Sequence, residues 1–179
     1  MHRDQLLLQL RDYQPLSAEE QRTVEKTILF VESNSDCFQR SNPAGHLTAS
    51  AWIINQEQTS ALLTRHRKLN IWIQCGGHAD GATDLLIVAQ KEASEETGLN
   101  SLESLSTSIF DVDIHIIPTY QNIDEHLHYD VRFLLFADVN KPLKRSSESH
   151  DLAWVELEEI ETLNSSHSIA RMVDKTKLL

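Results

Sequence analysis

Residues 76–99 read GGHADGATDLLIVAQKEASEETGL, and they contain the strongest local pattern in the chain. The second half of this stretch predicts a helix over residues 84–97. Leu85, Val88 and Ala89 recur at helical spacing and form an apolar stripe. Thr97-Gly98 is typical of a helix end, because glycine adopts the left-handed conformation there without strain.

Three carboxylates lie on this predicted helix. Glu92, Glu95 and Glu96 stand at positions i, i+3 and i+4, so their side chains share one face. Like charges at this spacing oppose helix formation by roughly 0.2–0.5 kcal/mol per pair. A divalent cation that prefers oxygen ligands, such as Mg²⁺ or Mn²⁺, would reverse the repulsion. Taken alone, the cluster also fits a solvated acidic face.

Glycines precede the helix, and they favour a metal site over a solvated acidic face. Gly76 and Gly77 follow a predicted strand over residues 71–74 and allow close backbone approach to a ligand. From Gly77 to Leu99 the chain resembles the signature of the Nudix hydrolase family, which is Gly, five residues, Glu, seven residues, then Arg-Glu-U-x-Glu-Glu-x-Gly-U with U aliphatic. The spacing is kept throughout. Thr83 and Lys91 depart from the family's Glu and Arg, which the resemblance implies are an ion pair that braces the loop.

The resemblance implies an α/β fold, a Nudix-like α/β/α sandwich with a mixed β-sheet. It also implies hydrolysis of a diphosphate linkage in a nucleoside diphosphate joined to another moiety, with Mg²⁺ or Mn²⁺ as cofactor. Glu92, Glu95 and Glu96 are then the catalytic residues, and they bind the metal together with the carbonyl of Gly77. Two alternatives remain on the same fold: a non-catalytic nucleotide-binding regulator, and an isomerase acting on an isoprenoid diphosphate.

The resemblance covers roughly residues 46–163, within a predicted domain over residues 46–179. Residues 1–45 form a predicted helical extension that packs on this core. A helical pattern covers residues 4–12, and a second helix over 18–36 begins after Ser17, which forms a capping-box pattern with Glu20. Two roles fit the extension: shaping a substrate pocket or forming a contact in a homodimer.

Short strands are predicted over residues 47–55, 61–66, 110–117, 126–138 and 153–155, and a last helix over 168–178. Two of these strands carry polar side chains on one face by the strand period of two. These side chains are Asp111, Asp113 and His115 on the first strand, and His126, His128, Asp130 and Arg132 on the second. If the strands pair, the polar faces are contiguous, and we expect them to line water or a ligand because burying them unpaired is costly.

Six residues outside the glutamate helix are predicted to bind the substrate: Arg65, His78, His115, His126, His128 and Asp130. The histidines and Asp130 suit phosphate binding, proton transfer or additional metal ligation. Arg65 belongs to the dense basic run at residues 65–68, which fits a phosphate clamp or a solvated strand end. His78 directly follows Gly77, so we expect it, rather than His46, to face the ligand.

The charge balance limits the partners. The 179 residues include 16 Lys and Arg against 27 Asp and Glu, a net charge of −11 with neutral histidines. This field repels nucleic acid polymers and anionic membranes, so we expect a small-molecule diphosphate substrate approached with the help of cations. Cys37 and Cys75 are too few to staple a fold, and the start of the chain lacks a signal-peptide pattern. The sequence therefore predicts a cytoplasmic protein.

Overall fold

The computed structural model describes residues 2–119 and 123–179. The elements in this part of the chain are, in order, α1 (Asp4–Asp12), α2 (Ala18–Ser33), β1 (Gly45–Ile54), β2 (Ser60–His66), β3 (Trp72–Ile73), β4 (Cys75–His78), α3 (Leu85–Thr97), β5 (Asp111–Ile117), β6 (His126–Phe136), β7 (Ser149–Glu156), α4 (Ile160–Leu163) and α5 (His167–Thr176). None of these helices has the length and apolar composition needed to cross a membrane.

The strands form one mixed sheet with β1 at its centre. The order is β3-β2-β1-β6-β5, with β4 paired to β1 and β7 paired to β2. β1 runs parallel to β6 and antiparallel to β2 and β4. β1 pairs with β4 through residues 48–51 and with β2 only through Ile53 and Ile54, so one edge of β1 serves two different strands.

Helices cover both faces of the sheet. On one face, Leu47, Ala49, Ala51 and Ile53 of β1 pack in a core with side chains from α1, α2 and α3. On the other face, Trp52 and its neighbours pack in a second core with side chains from α4 and α5. All ten residues of β1 are buried, as expected for a strand that is covered on both sides.

The first 45 residues contribute directly to the main core. Leu6 and Leu10 of α1 are each 1% exposed and lie in the same cluster as the β1 side chains. α2 begins where the sequence predicted, since the Ser17 side chain accepts a hydrogen bond from the Glu20 amide. It ends at Ser33, three residues earlier than predicted, and Asn34 is extended there.

Two sequence predictions about strands need correction. The glycines at 76 and 77 do not follow a single strand over 71–74, because this region forms two short strands, β3 and β4. They lie inside β4, where they pair with Ser50 and Ala49 of β1. β7 begins at Ser149, four residues before the predicted start, because it continues along β2 as far as His66.

Candidate active site

α3 positions the three glutamates. The Asp84 side chain caps the helix by accepting a hydrogen bond from the Ile87 amide at 3.2 Å, and Gly98 ends it in the left-handed region at φ 74°. The apolar stripe predicted from the sequence faces the sheet, and its buried members include Leu85, Val88 and Ala89. The helix predicted over residues 84–97 is therefore confirmed to within one residue.

Glu96 contacts the backbone of β4, the glycine strand, which contains Gly76 and Gly77. It is 9% exposed, and its Oε1 accepts a hydrogen bond from the Gly76 amide at 2.9 Å. Burial raises the pKa of Glu96 to about 7; the charges of Glu148 and Glu92 raise it too, whereas the hydrogen bond from Gly76 lowers it. This carboxylate is fixed in place and is costly to ionise without a neighbouring cation.

Glu92 and Glu95 converge on the ammonium group of Lys91. Lys91 Nζ lies 3.1 Å from Glu92 Oε1 and 3.2 Å from Glu95 Oε2. These hydrogen bonds raise the pKa of Lys91. Position 91 carries Arg in the Nudix signature, where its partner is position 83. In this chain Lys91 instead pairs within α3, while Thr83 is exposed.

Gly77 leaves room for the Glu92 side chain. A β-carbon at position 77 would overlap the Glu92 carboxylate, so a larger residue would displace that side chain. Gly77 pairs with Ala49, whose side chain lies in the core against α3, so this side of β4 faces the helix. The glycine allows the glutamate to lie directly against the strand.

These residues fit a divalent cation with oxygen ligands. Carboxylates are the donors that Mg²⁺ and Mn²⁺ prefer. Two of the three glutamates already share one cationic group, Lys91, and the space above Gly77 is filled by the carboxylate of Glu92. The donor set therefore matches the metal that the family resemblance implies.

The polar faces of β5 and β6 are contiguous, as predicted. The two strands pair antiparallel, and His115 lies opposite His128, Asp113 opposite Asp130, and Asp111 opposite Arg132. The expectation that this whole face lines water or a ligand is wrong, because its inner half is a buried ion network. The network joins α2, β5, β6 and α5 through Glu20, Asp111, Asp113, Asp130, Arg132, Arg171 and Lys175.

Asp130 illustrates the correction. It is 2% exposed, and its carboxylate accepts hydrogen bonds from Thr48 Oγ1 at 2.9 Å, Ser50 Oγ at 2.8 Å and Arg132 Nε at 2.7 Å. A carboxylate with this set of partners, buried to this degree, is a structural member of the network. The prediction that Asp130 binds the substrate is therefore not supported by its surroundings.

The other predicted substrate-binding residues are placed as follows. His78 pairs with Thr48 and lies on the side of β4 away from α3. His126 and His128 occupy the start of β6, and His115 lies beside them with its Nδ1 3.5 Å from Asp113 Oδ2. Arg65 is half-buried on β2, where its register partners are Trp72 and Asp151.

Sequence reasoning missed two residues near these groups. Glu148 raises the pKa of Glu96 by its charge, yet it lies in an irregular segment with no motif around it. The sequence favoured His78 over His46, but His46 is 3% exposed and its ring centroid lies 5.1 Å from that of His78 and 4.7 Å from that of His128. One signal was available for His46: it alternates with Thr48 and Ser50 along β1 and so extends a polar face.

Comparisons with known proteins agree with this architecture. The model of the NUDIX domain matches residues 44–175. No curated protein matches the chain significantly.

Solved structures give the same fold. An Ap4A hydrolase from C. elegans aligns with a TM-score of 0.56 at 16% identity, over 74% of this chain and 95% of its own. The dihydroneopterin triphosphate pyrophosphohydrolase of E. coli aligns with a TM-score of 0.57 at 13% identity, over 72% and 92%. The MutT protein from Methanosarcina mazei Go1 aligns with a TM-score of 0.52 at 18% identity, over 75% and 94%. The α/β fold predicted from the sequence is confirmed.

Proposed function

The chain belongs to the NUDIX domain family, and we propose that it hydrolyses a diphosphate linkage in a nucleoside diphosphate joined to another moiety. Membership makes it a Nudix-type pyrophosphohydrolase, an enzyme class that generally uses divalent metals. The observation that carries the proposal is the convergence of Glu92 and Glu95 on one cationic group beside the glycine strand. A carboxylate set that already gathers a cation is suited to binding Mg²⁺ or Mn²⁺.

We assign metal binding to Glu92, Glu95, Glu96 and the carbonyl of Gly77. When bound, the ion supplies charge neutralisation for the diphosphate and acidifies a water molecule. The chain provides the positions: the Gly76 amide holds the Glu96 carboxylate, and Gly77 leaves room for Glu92 against the strand. A cation is needed because the protein, at −11, repels a phosphate ester.

Substrate contacts at Arg65, His115 and His126 stay predictions. These three side chains are half-buried or exposed, so they are accessible to a ligand at the surface. The polar pair of His115 with Asp113 orients its ring. For His78 and His128, the structure supports a different role, described below.

We propose the division of the chain that the sequence predicted: a helical extension over residues 1–45 and a Nudix hydrolase domain over 46–179. The family match beginning at residue 44 supports this boundary. The burial of Leu6 and Leu10 in the main core supports an extension that is packed on the domain rather than tethered to it.

The proposal is tested by incubating the full chain with a panel of diphosphate compounds and either Mg²⁺ or Mn²⁺. The panel contains nucleotide sugars, dinucleoside polyphosphates, dinucleotide cofactors, coenzyme A and oxidised nucleotides, and released monophosphates are measured by chromatography. We expect turnover of at least one class at about 1 s⁻¹ or faster, abolished by a chelator. Tight binding without product from any class would instead show a regulator.

A further inference from the structure

Three histidines from three strands meet on the side of the sheet away from α3. His46 of β1 is the direct register partner of His128 of β6, and His78 of β4 pairs with Thr48, two residues along β1. One ring nitrogen from each histidine lies within 4.8 Å of those of the other two. The ring centroids are 4.7 Å apart for His46 and His128, 5.1 Å for His46 and His78, and 5.0 Å for His78 and His128.

Three ring nitrogens of this cluster have no hydrogen-bond partner within the described part of the chain. His46 is 97% buried, and among the described residues neither of its ring nitrogens has a hydrogen-bond partner. The same holds for Nε2 of His128 within the described part of the chain. A buried polar atom without a partner destabilises the fold, because it has lost its hydrogen bonds to water. Two of these three atoms belong to the single ring of His46, so one ion could satisfy one nitrogen of His46 together with Nε2 of His128.

The protonation state of the cluster suits a metal. Burial lowers the pKa of His46 to about 4, with a further decrease from the nearby His78 charge. Burial holds the pKa of His128 well below its ordinary value, and the nearby charge of His78 lowers this pKa further. Both rings are therefore neutral near pH 7, and neutral imidazole is the form that binds metal ions.

We propose that His46, His78 and His128 bind a transition-metal ion of the zinc class, at a site distinct from the glutamates of α3. Imidazole nitrogen suits Zn²⁺, Cu²⁺ and Ni²⁺, whereas Mg²⁺ and Ca²⁺ prefer oxygen. Zn–N bonds of about 2.0–2.1 Å place tetrahedral nitrogens about 3.3 Å apart, so the nitrogens, now within 4.8 Å of one another, would draw closer on binding.

His126 lies beside the three histidines. Its ring centroid lies 5.1 Å from that of His46 and 5.3 Å from that of His128. Among the described residues the converging nitrogens come from His46, His78 and His128 and not from His126, whose Nδ1 is paired with the Asp124 carbonyl oxygen at 2.8 Å. Three histidines would leave one position of a tetrahedral zinc ion open. The ion would tie β4, which carries Gly76 and Gly77, to β1 and β6.

The test uses the full chain, stripped of metal and titrated with Zn²⁺ in a calorimeter and with Co²⁺ in a visible spectrometer. We expect saturable binding of one Zn²⁺ per chain, and Co²⁺ absorption bands typical of tetrahedral nitrogen ligation. His46→Ala and His128→Ala should each weaken Zn²⁺ binding by about 100-fold or more. The matched control is His150→Ala, because His150 is exposed on β7.

Folding of the variants is checked by circular dichroism before titration. X-ray absorption of the zinc-loaded wild-type chain serves as a second measurement that needs no variant, and it should show imidazole scattering from three ligands. Equal Zn²⁺ affinity in His46→Ala and the wild type would overturn the site. So would an oxygen-only coordination shell, or loss of binding in Glu95→Gln with retention in His128→Ala.

Discussion

Glu96 is buried and accepts a fixed hydrogen bond. Replacing it should therefore affect activity and stability differently. Its carboxylate is 9% exposed and is held by the Gly76 amide. Its raised pKa shows that the folded chain without a metal disfavours the ionised form. A glutamine can keep the hydrogen bond from Gly76 while it removes the charge.

We therefore expect Glu96→Gln to lower the turnover number by about 10²-fold or more, since a ligand of the metal is lost. The melting temperature at pH 8 without divalent ions should hold or rise, because the variant no longer buries a charge. Both quantities are measured beside Glu158→Gln, an exposed carboxylate outside the site. Unchanged turnover at saturating Mg²⁺ would remove Glu96 from the site.

The ammonium group of Lys91 lies where it would compete with a metal ion for the carboxylates of α3. Its ammonium group is exposed and contacts Glu92 and Glu95, and exposed ion pairs contribute about 0.2–1 kcal/mol. Lys91→Gln should therefore increase Mn²⁺ affinity by about two- to five-fold, measured by calorimetry. Lys26→Gln, which removes an exposed lysine on α2, is the control for net charge. Weaker Mn²⁺ binding in Lys91→Gln would show that Lys91 supports the ligands instead of competing with a metal.

Local residue patterns could be predicted from the sequence, whereas contacts between residues distant along the chain could not. The spacing of Glu92, Glu95 and Glu96 predicted that they share one face of α3, because helical geometry is local; their assignment to a metal came from the family resemblance. The partners of Lys91 were not predicted, since the choice between position 83 and the neighbouring glutamates depends on how the loop folds. His46 was undervalued because its environment arises from β1 pairing with β6, about 80 residues away.

Among the secondary-structure elements, the strands β5 and β6 agree closely with the strands predicted from the sequence. Period-two alternation predicted which side chains share a face, and the antiparallel pairing of β5 with β6 places the two polar faces side by side. The burial of that face was not predictable, because it depends on charged residues from other elements. Arg171 and Lys175 come from α5, and Glu20 comes from α2. The sequence shows the charges on a strand but not the helices that later cover them.

This network predicts a specific acid sensitivity. Asp111 is fully buried and accepts hydrogen bonds from Arg132, Arg171 and Lys175. Burial raises its pKa, but the hydrogen bond from Arg171 and the surrounding cations outweigh burial and hold the pKa below its ordinary value of 3.8. A lowered pKa stabilises the fold above the unfolded value and loses that effect as the pH falls toward the folded value.

We expect Asp111→Asn to lower the free energy of unfolding at pH 7 by about 3–5 kcal/mol, because the buried cations lose their counter-charge. As the pH falls below 3.8, the difference between wild type and variant should shrink. Urea unfolding at several pH values measures both effects. Asp174→Asn, which changes an exposed carboxylate on α5, is the control. A difference that stays constant from pH 7 to pH 3 would contradict the role of the network.

At the scale of the whole molecule, the extension and the domain share one core. α1 and α2 contribute Leu6, Leu10, Val24, Phe30 and Val31 to the cluster that also contains the β1 side chains. The three tryptophans lie at positions 52, 72 and 154, outside the extension. Tryptophan fluorescence therefore reports the unfolding of the domain and not of the extension itself.

Leu10→Ala should lower the free energy of unfolding by about 2–5 kcal/mol and shift the fluorescence transition in urea, because Leu10 is 1% exposed in the shared core. Leu8→Ala, at a position that is 60% exposed, should change it by no more than about 0.5 kcal/mol. An unshifted fluorescence transition in Leu10→Ala would show that residues 1–45 fold separately from the domain.

In the proposed function, hydrolysis of a diphosphate linkage depends on the carboxylates of α3. The most direct test is the rate of nucleoside monophosphate release from the best substrate of the panel, at saturating Mg²⁺, by the wild type and by Glu95→Gln. Glu95 has 61% of its side chain exposed, so its replacement leaves the core untouched. We predict a decrease of about 10²-fold or more with an unchanged melting temperature; an equal rate in the two proteins would contradict the account.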